Sequence, residues 1–174
     1  VGINWGTQFG AYDHAQTPPL TGGTGALLDS YSITWQLVYS VDFVADPVDL
    51  GNSANGWVSG DDSVWATRTI AQGGGTAPQD GSTWDNWLAN LSGSTVYEDL
   101  AWSAAGYVFQ RVFEGTPAAL SYYFDSDLLA LNTGYTGTPQ MPQNLYPDTG
   151  SAGFQPDQQI PAVPEPATMS LLGL

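Results

Sequence analysis

The chain has 174 residues and a formal net charge of −15, with two arginines, no lysine, one histidine and no cysteine. Phosphate contacts need Lys and Arg, so nucleic acid is excluded as a partner, and electrostatic docking on anionic membranes is disfavoured. The missing cysteines exclude a disulfide framework, a thiol nucleophile and a Cys-ligated metal, and a single histidine argues against a Ser-His-Asp triad or a multi-His metal site.

Aromatic and β-branched residues recur between Gly, Asn, Asp and Pro, the composition of a β-rich chain. Gly2–Phe9 reads as a strand. The clearest strand is Ser32–Val41. Ile33, Trp35, Leu37, Tyr39 and Val41 fall on one face, and Ser32, Thr34, Gln36 and Ser40 on the other, with Val38 the exception. Period two of this kind predicts a strand half buried in an antiparallel sheet, with Trp35 in the core. Ser63–Ala71 is a third strand. Trp84, Trp87, Leu88 and Leu91 sit at i, i+3, i+4 and i+7, which predicts one short helix over 84–91, capped by Ser82 or Thr83 and ended by Gly93. Thr95–Trp102 is a further strand. Gly106–Phe113 is apolar on both faces, which predicts a central strand. Arg111 shares a face there with Tyr107, Phe109 and Phe113, so it needs a carboxylate partner or a stacking ring. Ala119–Phe124 and Asp127–Leu131 complete the set.

The fold expected from these elements is all-β: an antiparallel β-sandwich, jelly-roll or immunoglobulin-like, over residues 1–131 with one short helix. Residues 132–162 are rich in Pro, Gly, Thr, Gln and Asn and show no strand or helix period. They read as an extended tail, either a solvated tether or an arm that packs along the domain or a neighbouring subunit. The spaced aromatics Tyr135, Tyr146 and Phe154 are the argument for an arm.

The last segment, residues 163–174, reads Val-Pro-Glu-Pro-Ala-Thr followed by a Leu/Gly-rich run. It resembles the PEP-CTERM sorting signal of Gram-negative bacteria, with Pro164, Glu165 and Pro166 matching the motif. The resemblance implies export, retention at the inner membrane, processing by an exosortase-type transpeptidase, and delivery to the cell surface or an exopolysaccharide matrix. The apolar run is shorter than the roughly 20 residues of a membrane span, and no basic cluster follows it. The start at Val1 reads as a mature chain without its signal peptide. Gln36–Ser40, Asp42–Pro47, Gly106–Phe113 and Ser121–Phe124 also resemble a recurrent body of such proteins, to which no activity attaches.

Candidate chemistry is sparse. Asp42, Asp46 and Asp49 follow the best strand, with Asn52 and Asn55 beyond them. Asp61 and Asp62 precede another strand, and Asp125 and Asp127 flank Ser126. Carboxylates on loops suit Ca²⁺, which takes six to eight oxygens, although none of these stretches has the spacing of an EF-hand. The plain reading is solvated turn residues that keep a lysine-free protein soluble. Trp57, Trp84 and Trp87 stand among Gly, Asp, Asn and Ser, which is the equipment for stacking a sugar ring. The plain reading places Trp84 and Trp87 between the short helix and the sheet. Glu98-Asp99 beside Trp102 is the best carboxylate pair for a glycosidase, and nothing separates it from an edge-of-strand charge pair. His14 reads as a surface loop residue. The expectation is a non-enzymatic extracellular structural protein that contacts copies of itself through β-edges and the tail, with Ile3, Trp5, Phe9, Tyr135, Tyr146 and Phe154 as contact residues. The alternative is a module that retains exopolysaccharide through exposed Trp and Asp/Asn.

Overall fold

A computed structural model describes residues 2–5, 14, 33–70, 95–97, 105–131, 143–145 and 157–162. Among the described residues, nine strands follow in chain order: β1 (Gly2–Trp5), β2 (Ile33–Ser40), β3 (Ser63–Ile70), β4 (Thr95–Tyr97), β5 (Tyr107–Phe113), β6 (Tyr122–Asp125), β7 (Leu129–Ala130), β8 (Gln143–Leu145) and β9 (Gln158–Gln159). The larger sheet has the order β3-β2-β5-β6-β9, antiparallel throughout, with β7 also paired to β5. A three-stranded sheet has the order β4-β1-β8, in which β1 runs parallel to β8. The protein is all-β and mostly antiparallel. The helix expected at 84–91 lies outside the described residues. A 3-10 turn occupies Leu50–Asn55, inside what reads as a loop.

β2 and β5 form the centre of the larger sheet, paired from Thr34↔Phe113 to Ser40↔Tyr107. β5 is central, as its two apolar faces predict. β2 departs from expectation, because its polar face is not solvated: Thr34 is 7% exposed, and Gln36 and Ser40 are 0% exposed. The cause is the β2–β3 connection, which folds back over that face. Gln36 Nε2 donates to the Gly56 carbonyl at 3.1 Å, and Ser40 Oγ lies 2.9 Å from the Val44 carbonyl. Val58 from the same connection packs on Val38 and Phe109. A period-two polar face therefore marks hydrogen-bonding positions beneath a loop, since buried polar groups persist only when bonded.

The opposite face of β2 carries Ile33, Trp35 and Leu37, all buried, and Trp35 Nε1 donates to Gln110 Oε1 at 2.9 Å. Trp5 of β1 is buried, and the Arg68 guanidinium lies 5.8 Å from its ring centroid. Arg68 sits opposite Trp35 in the β2–β3 ladder, so β1 reaches the Trp35 side of the sheet.

At the step from Leu37 to Val38 the register with β3 shifts, leaving Trp65 as the extra residue. Its ring stacks on Tyr39 at 4.7 Å and 8°. Gly106 lies against the same tyrosine, and a Cβ added there would overlap the Tyr39 ring. Gly106→Ala is accordingly expected to lower stability by about 1–3 kcal/mol, the usual cost of overpacking. Thermal unfolding checks this, and a wild-type melting temperature would contradict the packing.

The segment 132–162, where no strand is expected, contributes β8 and β9. β9 pairs antiparallel with β6, Tyr122↔Gln159 and Tyr123↔Gln158. Ile160 N–H donates to the Ser121 carbonyl, and Leu120 N–H donates to the Ile160 carbonyl. Ile160 is 1% exposed and packs in a cluster with Phe113 and Tyr123, flanked by Val48 and Leu50. One end of the tail thus completes the core. It has no visible period because a two-residue strand cannot display one, and its pairing is templated by the β6 edge.

Candidate functional site

The β2–β3 connection, residues 41–62, concentrates the chemistry. Its two arms are stitched together by hydrogen bonds from the inside of the loop outward. Asp49 caps the 3-10 turn, accepting from Gly51 N–H at 2.8 Å. Asp49 N–H donates to the Trp57 carbonyl, and Trp57 N–H donates to the Asn52 carbonyl. Asn52 Nδ2 donates to the Val58 carbonyl at 2.8 Å, and Ser59 Oγ to the Pro47 carbonyl at 2.6 Å. The next rung brings Asp46 against Asp61 and Asp62.

Each of these three carboxylates is held by one backbone N–H. Asp46 N–H donates to Asp62 Oδ2 at 2.9 Å, Asp61 N–H to Asp46 Oδ2 at 3.1 Å, and Val41 N–H to Asp61 Oδ2 at 3.0 Å. One oxygen from each residue lies within 4.8 Å of the other two. Gly60, at φ +58°, passes directly beneath Asp46, where a Cβ would overlap the carboxylate, so only glycine fits this position. Asp61 is exposed, Asp46 half-buried, and Asp62 8% exposed, with its Oδ1 unbonded. The Ser40 hydroxyl, the nearest candidate donor, has one hydrogen and already faces Asp42 O, Asp42 Oδ1 and Val44 O at 2.9–3.2 Å.

Burial pushes the Asp62 carboxyl up from 3.8 to about 6. The hydrogen bond from Asp46 N–H, the charge of Arg111 and the neighbouring Ser40 hydroxyl oppose the rise, and the charge of Asp46 adds to it. A raised acid pKa favours the protonated folded state. This contribution is complete below pH 4 and is lost as pH climbs towards 6. In EDTA, wild-type stability is therefore expected to fall across that interval by about 1–2 kcal/mol more than that of Asp62→Asn. Parallel pH–melting curves for the two proteins would contradict this.

The remaining sequence candidates separate. Asp42 serves its own turn, accepting from Val44 N–H at 2.9 Å. Asp49 is spent on its cap. Asp127 is exposed and outside the cluster. Asp125, read as a calcium ligand, is instead the carboxylate that Arg111 requires. Arg111 Nε and Nη2 donate to its two oxygens, each at 2.6 Å, and Nη2 also reaches the Asp46 carbonyl at 2.6 Å. The β5–β6 register places them directly opposite one another. The guanidinium also lies over Phe109 and Tyr123, at 5.2 and 5.5 Å. Burial acts to lower the Arg111 pKa, but the bonds and charge of Asp125 outweigh it and hold the value above the ordinary one.

Trp57 adopts φ +62° and packs edge-on to Phe113 at 6.1 Å, half-buried. An open groove beside it is lined by Asn52, Asn55, Gly56, Val58, Asp62 and Val64, and Trp57 is not part of that lining. His14 is more constrained than a surface loop residue. Its N–H and Nδ1 each lie 2.7 Å from a Glu114 oxygen, and its ring stacks on Tyr122 at 3.8 Å. Trp5 is core, and Ile3 lies in β1. Phe9, Trp84, Trp87, Glu98, Asp99, Trp102, Tyr135, Tyr146, Phe154 and Pro164–Pro166 lie outside the described residues. The sequence reading missed Ile160 and the Tyr39–Trp65 stack. Among the described residues, no helix is long and apolar enough to cross a membrane.

No family model, no curated protein and no solved structure matches this chain.

Proposed function

We propose that the protein is a non-enzymatic extracellular structural subunit that assembles with copies of itself by exchanging its C-terminal arm. The observation that carries this reading is the docked segment Asp157–Ala162. It adds to the β6 edge as a strand and seats one buried side chain, Ile160, against Phe113 and Tyr123. This is β-strand addition, in which backbone bonds give affinity and a side-chain socket gives register. The socket accepts the same arm from a neighbour as readily as its own. The eleven residues between Leu145 and Asp157 can reach about 36–40 Å when extended, enough to cross to an adjacent subunit. Head-to-tail exchange whose rotation does not close into a ring makes a filament.

The full fold is a sandwich in this reading, with the three-stranded sheet on the Trp35 side. The Arg68–Trp5 contact supports that arrangement. The PEP-CTERM-like residues 163–174 support export, exosortase-type processing and a place in an exopolysaccharide matrix. A near-absence of Lys and Arg leaves few tryptic sites, which suits a persistent extracellular polymer.

A second reading, retention of exopolysaccharide, is favoured by the polar groove at Asn52, Asn55 and Asp62, whose amides and carboxylate suit sugar hydroxyls. Electron microscopy of the concentrated full chain separates the two. Regular filaments are expected, and they are expected to vanish when residues 157–162 are deleted. Filaments that persist without the arm would overturn the exchange mechanism. Dispersed wild-type monomers retained on an exopolysaccharide column would favour the second reading.

A further inference from the structure

We propose that Asp46, Asp61 and Asp62 form a calcium site, each giving one carboxylate oxygen to the ion. Three carboxylates on one loop are ordinary in an acidic protein, and the cluster alone would carry no such inference. The deciding feature is Asp62. The residue is 8% exposed beside the other two carboxylates, and its buried Oδ1 has no hydrogen-bond partner among the described residues. A carboxylate withdrawn from water normally recovers its lost hydration with bonds to both oxygens, or takes up an ion.

The hydrogen bonding is asymmetric in the way a cation requires. Backbone N–H groups hold Oδ2 of Asp46, Asp61 and Asp62, which fixes the three headgroups. With the headgroups so held, one oxygen of each lies within 4.8 Å of one from the other two, close enough to share an ion. Arg111, the nearest cation, does not neutralise them. It is committed to Asp125 and to the Asp46 carbonyl.

The donor set is oxygen only, which selects a hard cation. Three protein oxygens leave several of the six to eight calcium positions to water. Mg²⁺ demands a stricter octahedron and gives up its waters reluctantly, so a weaker response to Mg²⁺ follows. The expected affinity is that of extracellular calcium modules, about 10⁻⁴–10⁻³ M. All three carboxylates lie on the β2–β3 connection and β9 contributes none of them, so this inference does not rest on arm exchange.

The test is thermal unfolding of the full chain at pH 7.5 in EDTA, in about 10 mM CaCl₂ and in about 10 mM MgCl₂. Calcium is expected to raise the melting temperature by about 3–8 °C, with a smaller rise in magnesium. Asp62→Asn, which keeps shape and removes the charge, is expected to lose that rise. Asp127→Asn, outside the cluster, is expected to keep it. Near-ultraviolet circular dichroism matching the wild type establishes that Asp62→Asn is folded, and Asp46→Asn serves in its place if it is not. No calcium shift in the wild type would overturn the site, as would a shift that survives in both Asp62→Asn and Asp46→Asn. Stabilisation by acid alone, with no response to calcium, would show that a proton rather than a metal satisfies Asp62.

Discussion

Asp125→Ala is expected to destabilise the domain by about 3–5 kcal/mol, the cost of stranding a buried charge. Arg111 is fully buried, and Asp125 provides two of its three hydrogen bonds. Without that carboxylate the guanidinium keeps one carbonyl and two aromatic faces. It cannot shed its proton, because arginine stays charged at any pH a protein survives. The reverse change, Arg111→Met, is expected to cost less. The stranded Asp125 can take up a proton, and the flexible thioether fills the space between Phe109 and Tyr123. Its deficit is therefore expected to shrink as pH falls. The double variant Arg111→Met/Asp125→Leu removes both charges and is expected to recover most of the loss. Denaturant unfolding of the three variants checks this order. A double variant no more stable than Asp125→Ala would contradict it.

The second large effect concerns Ile160. Ile160→Ala empties a socket against Phe113 and Tyr123, and buried Ile→Ala changes cost about 2–5 kcal/mol. The arm is a two-residue strand at a sheet edge, so this loss is expected to appear as local release and not as global unfolding. Amide exchange at Ile160, bonded to the Ser121 carbonyl, should accelerate by about tenfold or more, while β2 and β5 amides stay protected. Assembly should fail with it. Uniform loss of protection across β2 and β5 would show that the arm is an inseparable part of the core, and exchange between subunits would then be too costly.

What the sequence disclosed follows from the reach of each signal. β2 and β5 were legible because eight- and seven-residue strands carry enough period to be seen. The exposure of the β2 polar face was misread because period alone does not reveal what covers a face. Here it is the connection to β3, and Gln36 and Ser40 bond to its carbonyls. Arg111 announced its need for a carboxylate, but only the β5–β6 register selects Asp125, which composition had assigned to calcium. Seven aspartates were equivalent as letters. Asp46 is brought to Asp61 and Asp62 by the stitching at Asp49–Trp57 and Pro47–Ser59, a set of hydrogen bonds that no residue pattern encodes. β9 was invisible because Gln-Gln-Ile has neither length nor alternation, and it becomes a strand only against an edge already formed.

The most direct measurement of arm exchange uses the absence of natural cysteine. Tyr122 and Gln159 are opposite one another, and Ile160 N–H bonds to Ser121 O one step away. They therefore form a non-hydrogen-bonded pair, whose Cα separation of about 4.5 Å suits a disulfide. One population would carry Tyr122→Cys and the other Gln159→Cys, mixed under assembling conditions and then oxidised. Exchange predicts disulfide-linked species that contain both variants. If a disulfide forms only when both cysteines are placed in a single chain, and never between the two populations, each arm stays on its own subunit and the assembly account is wrong.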